Sequence, residues 1–261
     1  MSTFVLIHGG GGSHRDFELL EPELRRRGHD VVAPDLPIDD PAAGFAEFTR
    51  TVVDAVGDRR DLVVVGHSYG GFTAPLVCAR LPVRLLVFLA GMIPAPGEKP
   101  GDWWANTGFE APEGLDDAET FYTGVPADVA ALALSCGRPQ VSAESGEPWP
   151  LDALPDVPTR VLLCRDDRFF PPDFQRRVAR DRLGLEPDEV DGAHCAATSH
   201  PVELAERLVG YLDAGGPALT RLVGRRASWQ TVARAWRSSF RRDATGVSAL
   251  VPTGGGGTSR R

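Results

Sequence analysis

The chain has 261 residues, 42% of them hydrophobic and 25% charged, and carries a formal net charge of −8 at pH 7. That balance lies near the average of globular proteins and excludes collagenous or disordered compositions, and no apolar run approaches the roughly 20 residues of a bilayer span. An acidic body also argues against nucleic acid as a partner, because phosphate binding needs a basic face.

Charge is unevenly spread. Residues 215–261 hold nine arginines and one aspartate, a net of +8, which leaves −16 on residues 1–214. This divides the chain into one main domain over 1–214 and an arginine-rich, partly disordered tail over 215–261 that ends in low-complexity sequence. The amino terminus shows no basic segment leading into a long apolar one, as a signal peptide would. Cys78, Cys136, Cys164 and Cys195 are too sparse for a disulfide framework and lack the spacing of a zinc site. The expectation is a cytoplasmic protein with reduced thiols, monomeric or homodimeric, with no metal.

Taken in order, short aliphatic runs alternate with amphipathic stretches, the pattern of parallel strands joined by crossover helices. A strand over 3–7 leads into His8-Gly9-Gly10-Gly11-Gly12, followed by a helix over 15–27, a strand over 29–33 and a helix over 44–57. The next strand, 61–66, runs into Gly66-His67-Ser68-Tyr69-Gly70-Gly71; a helix over 69–80 and a strand over 83–89 follow. Residues 91–157 then break the rhythm, rich in Pro, Gly, Trp and acidic residues, and a connection of that length predicts a small cap over an active site. A strand over 158–164, a helix over 171–182, a strand over 186–190 and a helix over 201–213 complete the pattern, the last with Leu204, Leu208 and Leu212 on one face. The fold class is α/β: a mostly parallel sheet of about six strands flanked by helices, with a cap insertion.

Gly66-His67-Ser68-Tyr69-Gly70 sits between a strand and a helix, and that context gives the pentapeptide meaning. Small residues on both sides of a sharp turn let the backbone pass closely while the serine projects into a cleft at a helix start. Negative charge developing there is favoured by backbone N–H groups and the helix N-terminus. The competing reading is a glycine-rich turn without chemistry. The glycines after His8 lack the Gly-Lys-Ser/Thr ending of a phosphate loop. If Ser68 is a nucleophile, it needs a base to take its proton and a carboxylate to orient that base.

On these motifs the chain resembles the α/β-hydrolase family over about residues 3–213, most closely serine esterase-like members with a short cap. The resemblance implies an oxyanion hole built from the backbone N–H groups of Gly10 and Tyr69, each such donor typically worth about 3 kcal/mol in the transition state. It also implies the chain order Ser, Asp or Glu, His, which leaves His194 and His200 as bases. The family's Gly-x-His turn matches Gly192-Ala193-His194 and favours His194, with His200 near the start of the following helix. Aligning Cys164 with the glycine of the family's Gly-x-x-Asp favours Asp167 over Asp166, and neighbouring side chains on an extended backbone diverge, so only one would reach the base.

The remaining polar residues have plainer readings. His8 and His67 would orient loop backbone, His14 and His29 would lie at the surface or at helix ends, and Asp35 would fix a turn. Trp103, Trp104 and Phe109 either line a substrate pocket or form the cap's own core. The implied activity is cleavage of a small-molecule ester without metal or organic cofactor. A thioesterase, lactonase or carbon–carbon hydrolase fits the same triad, and a non-catalytic ligand-binding sensor is the alternative of another class. Lyase-like relatives use a hydroxyl residue in the oxyanion loop and a lysine near the acid. Here Gly10 takes the first position and the only lysine, Lys99, is in the cap.

Overall fold

In the computed structural model, which describes residues 1–213, six strands form one parallel sheet; the arginine-rich stretch 215–261 lies outside the described residues. The strands are β1 (Thr3–Ile7), β2 (Asp30–Val32), β3 (Leu62–His67), β4 (Val83–Leu89), β5 (Thr159–Cys164) and β6 (Asp188–Val190), in spatial order β2-β1-β3-β4-β5-β6. Strands covered on both faces favour runs of apolar side chains, and β1 and β3, buried along their whole length, carry Phe4–Ile7 and Leu62–Val65.

Nine helices among the described residues connect and cover these strands: α1 (Leu20–Arg26), α2 (Phe45–Val56), α3 (Ala74–Cys78), α4 (Pro100–Asn106), α5 (Asp117–Phe121), α6 (Ala127–Leu134), α7 (Pro172–Leu183), α8 (Ala196–Ser199) and α9 (Pro201–Asp213). Alternation along the strands feeds two cores. Val5, Ile7, Val64 and Phe88 pack with α2, α3, α7 and the cap tryptophans Trp103 and Trp149, whereas Phe4, Leu6, Val63 and Val87 pack with α1 and α9. Phe45, Phe48, Val52 and Val56 show how α2 is held: spaced three or four apart, they form one buried stripe, and each contributes about 1.5–3 kcal/mol of burial.

Two expected helices are split. A 3₁₀ turn at His14–Phe17 precedes α1, and another at Ser68–Gly71 precedes α3. Proline explains both: Pro22 and Pro75 have no N–H to give to the preceding turn, so each is tolerated only in the first turn of a helix. The connection between β4 and β5 is more ordered than its sequence suggests, holding α4, α5, α6 and a 3₁₀ turn at Ala143–Gly146. It is tied to the body by a bidentate ion pair between buried Glu98 and Arg182 (2.7 and 2.8 Å) and by the Trp149 indole N–H donating to Phe72 O at 3.0 Å.

Register places the chemistry. Ile7 pairs with Gly66, His67 with Leu89 and Cys164 with Val190, so the carboxyl ends of β1, β3, β4, β5 and β6 open on one edge of the sheet. β1 lies between β2 and β3, and such a reversal of strand order creates a crevice at the carboxyl edge. No helix among the described residues is long and apolar enough to cross a membrane. All four cysteines are free.

Candidate active site

Ser68 stands where β3 gives way to the 3₁₀ turn, with φ at +49°. A side chain in the left-handed region costs about 1–3 kcal/mol, so the surroundings must enforce it. They do so by close backbone approach: a Cβ on Gly66 would lie 2.8 Å from Ala74 Cβ and 2.8 Å from Gly70 O, and one on Gly70 would lie 2.6 Å from Ile7 O. Only glycine fits at either place. The Ser68 carbonyl accepts from Met92 N at 2.9 Å, which links the turn to the start of the cap.

The loop after β1 lies directly against this turn. A Cβ on Gly9 would stand 3.0 Å from Ser68 Cβ and 3.5 Å from its Oγ, and one on Gly10 would stand 3.6 Å from Tyr69 Cβ. Gly10 and Tyr69, expected to supply the oxyanion amides, are therefore neighbours. His8 sets the loop's base: Leu36 N donates to its Nε2 at 3.0 Å, so the proton of the neutral ring is on Nδ1, which donates to Gly9 O at 2.9 Å. Burial lowers its pKa to about 4.

The loops after β5 and β6 bring the other two residues together. Asp167 and His194 are both buried, and Asp167 Oδ2 lies 2.8 Å from His194 Nδ1. Every acceptor site of the carboxylate is used: Oδ1 takes the backbone N–H groups of Phe169 (2.9 Å) and Phe170 (2.8 Å), and Oδ2 also takes the Gln175 amide at 3.2 Å. Asp166 is exposed, as the divergence of adjacent side chains requires. His200 takes no part in this pair. It stands just before α9, where its carbonyl accepts from Leu204 N at 3.0 Å.

His67 joins the serine turn to His194. Its Nε2 is 3.0 Å from the His194 carbonyl oxygen, which can only accept, so Nε2 carries the proton. Burial, reinforced by the neighbouring His194, lowers the His67 pKa to about 3 and keeps the ring neutral. The two imidazole rings are 5.0 Å apart. Among the described residues no hydrogen bond joins Ser68 Oγ to His194, a bond that is often long or misaligned without substrate and tightens when substrate binds. Next to His194, the Cys195 thiol is held above the ordinary range by burial and by the charge of Asp16, which disfavours its thiolate.

The cap aromatics are distributed unevenly. Trp103 is 1% exposed, donates its indole N–H to Ile93 O at 2.9 Å and packs on Phe170 and Phe174, so it supports the cap from within. Trp104 and Phe109 are partly buried and pack on Phe169 and Phe170. The rings that face His194 are Phe121, Phe169 and Phe170, with centroids 5.6, 5.1 and 5.2 Å away. Sequence reasoning passed over Phe121 and Gln175; the first lies in a cap without clear periodicity, and nothing in residue type marks a helical glutamine as a partner of Asp167. No group of metal-ligating side chains occurs among the described residues.

Known proteins share this arrangement of elements. A model of the alpha/beta hydrolase family matches residues 4–207. "Probable esterase PIR7A" of Oryza sativa subsp. indica is 28% identical over 253 residues, covering 79% of this chain and 95% of that protein. "Norfluorocurarine synthase 1" of Strychnos nux-vomica is 24% identical, covering 80% and 95%. Among solved structures, polyneuridine aldehyde esterase superposes with a TM-score of 0.66 at 21% identity, covering 82% of this chain and 100% of that one. With the family model spanning most of the sequence, and the sheet, its crevice and the strained serine turn arranged as that family requires, the chain belongs to the alpha/beta hydrolase family.

Proposed function

We propose that this protein hydrolyses carboxylic esters of small molecules, with Ser68 as nucleophile, His194 as base and Asp167 as its orienting carboxylate. The observation that carries the reading is the buried Asp167–His194 hydrogen bond of 2.8 Å, formed at the same sheet edge that holds Ser68 at a positive φ. Since Asp167 faces Nδ1, the neutral His194 ring carries its proton there and leaves Nε2 free to accept. Ser68 Oγ attacks the carbonyl carbon as its proton passes to Nε2. The tetrahedral oxyanion is held by the N–H groups of Gly10 and Tyr69. The proton then goes to the departing alkoxide as the carbon–oxygen bond breaks. Water attacks the acyl-serine, gives its proton to Nε2, and the acid leaves as Ser68 recovers its hydrogen.

The esterase names among similar proteins support an ester as substrate, and the phenylalanines around His194 favour one with an apolar group at the reacting carbonyl. No cofactor enters any step. Ser68→Ala should abolish turnover of short p-nitrophenyl esters and labelling by a fluorophosphonate, with an unchanged circular dichroism spectrum. Persistence of either activity in that variant would overturn the assignment.

A further inference from the structure

An oxyanion hole works because its donors are fixed before the charge appears, yet the loop carrying Gly10 is Gly9-Gly10-Gly11-Gly12, the least constrained backbone a sequence can supply. Two local bonds, Gly12 N to Gly9 O at 3.2 Å and His8 Nδ1 to Gly9 O at 2.9 Å, hold its start as a turn. Gly11 is held from the cap. Gly11, at φ +68°, donates its N–H to Gln140 Oε1 at 2.9 Å and accepts from Arg138 N at 2.7 Å. Both polar groups of that peptide residue are thus held by a segment more than 120 residues away in sequence.

The chain of bonds continues. Gln140 Nε2 donates to Glu144 Oε1 at 2.7 Å, and the same oxygen accepts from the Tyr69 hydroxyl at 3.1 Å. Glu144 is 0% exposed, and its second oxygen, Oε2, is buried without a hydrogen-bond partner. One end of the network therefore grips the residue next to Gly10, and the other grips Tyr69 itself. Gln140 Oε1 would also lie 3.2 Å from a Cβ on Gly10, so the carboxamide occupies the space that a side chain at that position would need.

We propose that Gln140 and Glu144 are positioning residues that brace the oxyanion hole, fixing its two sides relative to each other through Gly11 and the Tyr69 hydroxyl when this part of the cap is seated. The inference rests on the ester-hydrolase reading above and adds to it a cap contribution to the rate of the chemical step. A brace of this kind acts on the transition state, because the ground-state carbonyl oxygen depends less on donors aimed at the oxyanion.

The test uses the full chain with p-nitrophenyl acetate and butyrate and with a fluorophosphonate probe. Complete loss of one oxyanion donor lowers kcat by about 10²–10³-fold. Displacing rather than deleting the donors in Glu144→Leu should lower kcat and the phosphonylation rate by about 10–100-fold, with KM changed less than about threefold. Glu144→Gln should restore near wild-type rates: its carbonyl oxygen can accept both donors, and its amide replaces the oxygen that has no partner. Gln140→Ala, at a less buried position, should give a smaller loss of the same kind, and Tyr69→Phe combined with Glu144→Leu should cost little more than Glu144→Leu alone. If Glu144→Leu does not fold, Gln140→Ala and Tyr69→Phe decide the matter by the same split between kcat and KM.

Equal rates in all folded variants, or a rise in KM at constant kcat, would overturn the brace while leaving the hydrolase reading intact. A wild-type protein that neither turns over these esters nor reacts with the probe would remove both.

Discussion

Replacing Asp167 by Asn tests the acid and the geometry together. The Oδ1 position accepts two backbone N–H groups, from Phe169 and Phe170, and must remain an oxygen. The new NH2 is then directed at His194 Nδ1 and the Gln175 amide, so donors face donors. His194 relieves the conflict by moving its proton to Nε2, where it can no longer accept from Ser68. The wrong tautomer in a Ser-His-Asp system costs about 10⁴-fold in kcat, and the buried Gln175 amide, losing an acceptor, adds about 1–3 kcal/mol of instability. The assay is kcat/KM for a p-nitrophenyl ester between pH 5 and 9, alongside urea unfolding, with Asp166→Asn as the exposed control. Asp167→Asn turning over within tenfold of wild type, or Asp166→Asn falling as far, would refute the reasoning.

Backbone strain and buried histidines give further expectations. Ser68→Gly should be more stable than Ser68→Ala by about 1 kcal/mol, because only glycine is relaxed at φ +49°; equal midpoints in urea would contradict this. Burial lowers His8 from 6.5 to about 4 and His67 from 6.5 to about 3. The unfolded chain therefore binds two more protons at these sites between pH 5 and 6, so stability is lost as pH falls below 6.5, each proton counting for about 1.4 kcal/mol per pH unit. Asp16 opposes them: burial raises it from 3.8 to about 7, so its contribution is present at low pH and is lost as pH rises through about 7. Asp16→Asn should steepen the acid loss between pH 5 and 6 from about one proton to about two, as read by urea titration; an unchanged slope would show that Asp16 is ionised in the fold.

The sheet was legible because double-sided burial leaves continuous aliphatic runs such as Leu62 to Val65, and the strand starts and ends agree to within two residues. Helix boundaries were less so where a proline near the start shifts the first turn, as at Pro22 and Pro75. Ser68, Asp167 and His194 each follow a strand that ends at the same edge, and local motifs at those strand ends are what point to them. The partners of those residues were not legible. Gln175 at Asp167 and Phe121 at His194, like Gln140 and Glu144 at Gly11 and Tyr69, meet their partners across distances that depend on how α7 and the cap pack, and no spacing within their own segments records that. His67 is intermediate: its loop-holding reading came from its place beside the glycines, whereas its partner, the carbonyl of His194, lies 127 residues away.

The two limbs of the cap differ in what they can tolerate. The returning limb is stitched to the body through Arg138 to Gly11, Val141 to Ile38, Ala143 to Ala43 and Trp149 to Phe72. The outgoing limb includes an exposed stretch over 110–115, ahead of α5, with none of its residues buried. Insertions or exchanges in that stretch would leave the serine turn and the Asp167–His194 pair untouched, while changes after residue 137 would reach the glycine loop. Any engineering of the cap therefore has an open side and a closed one.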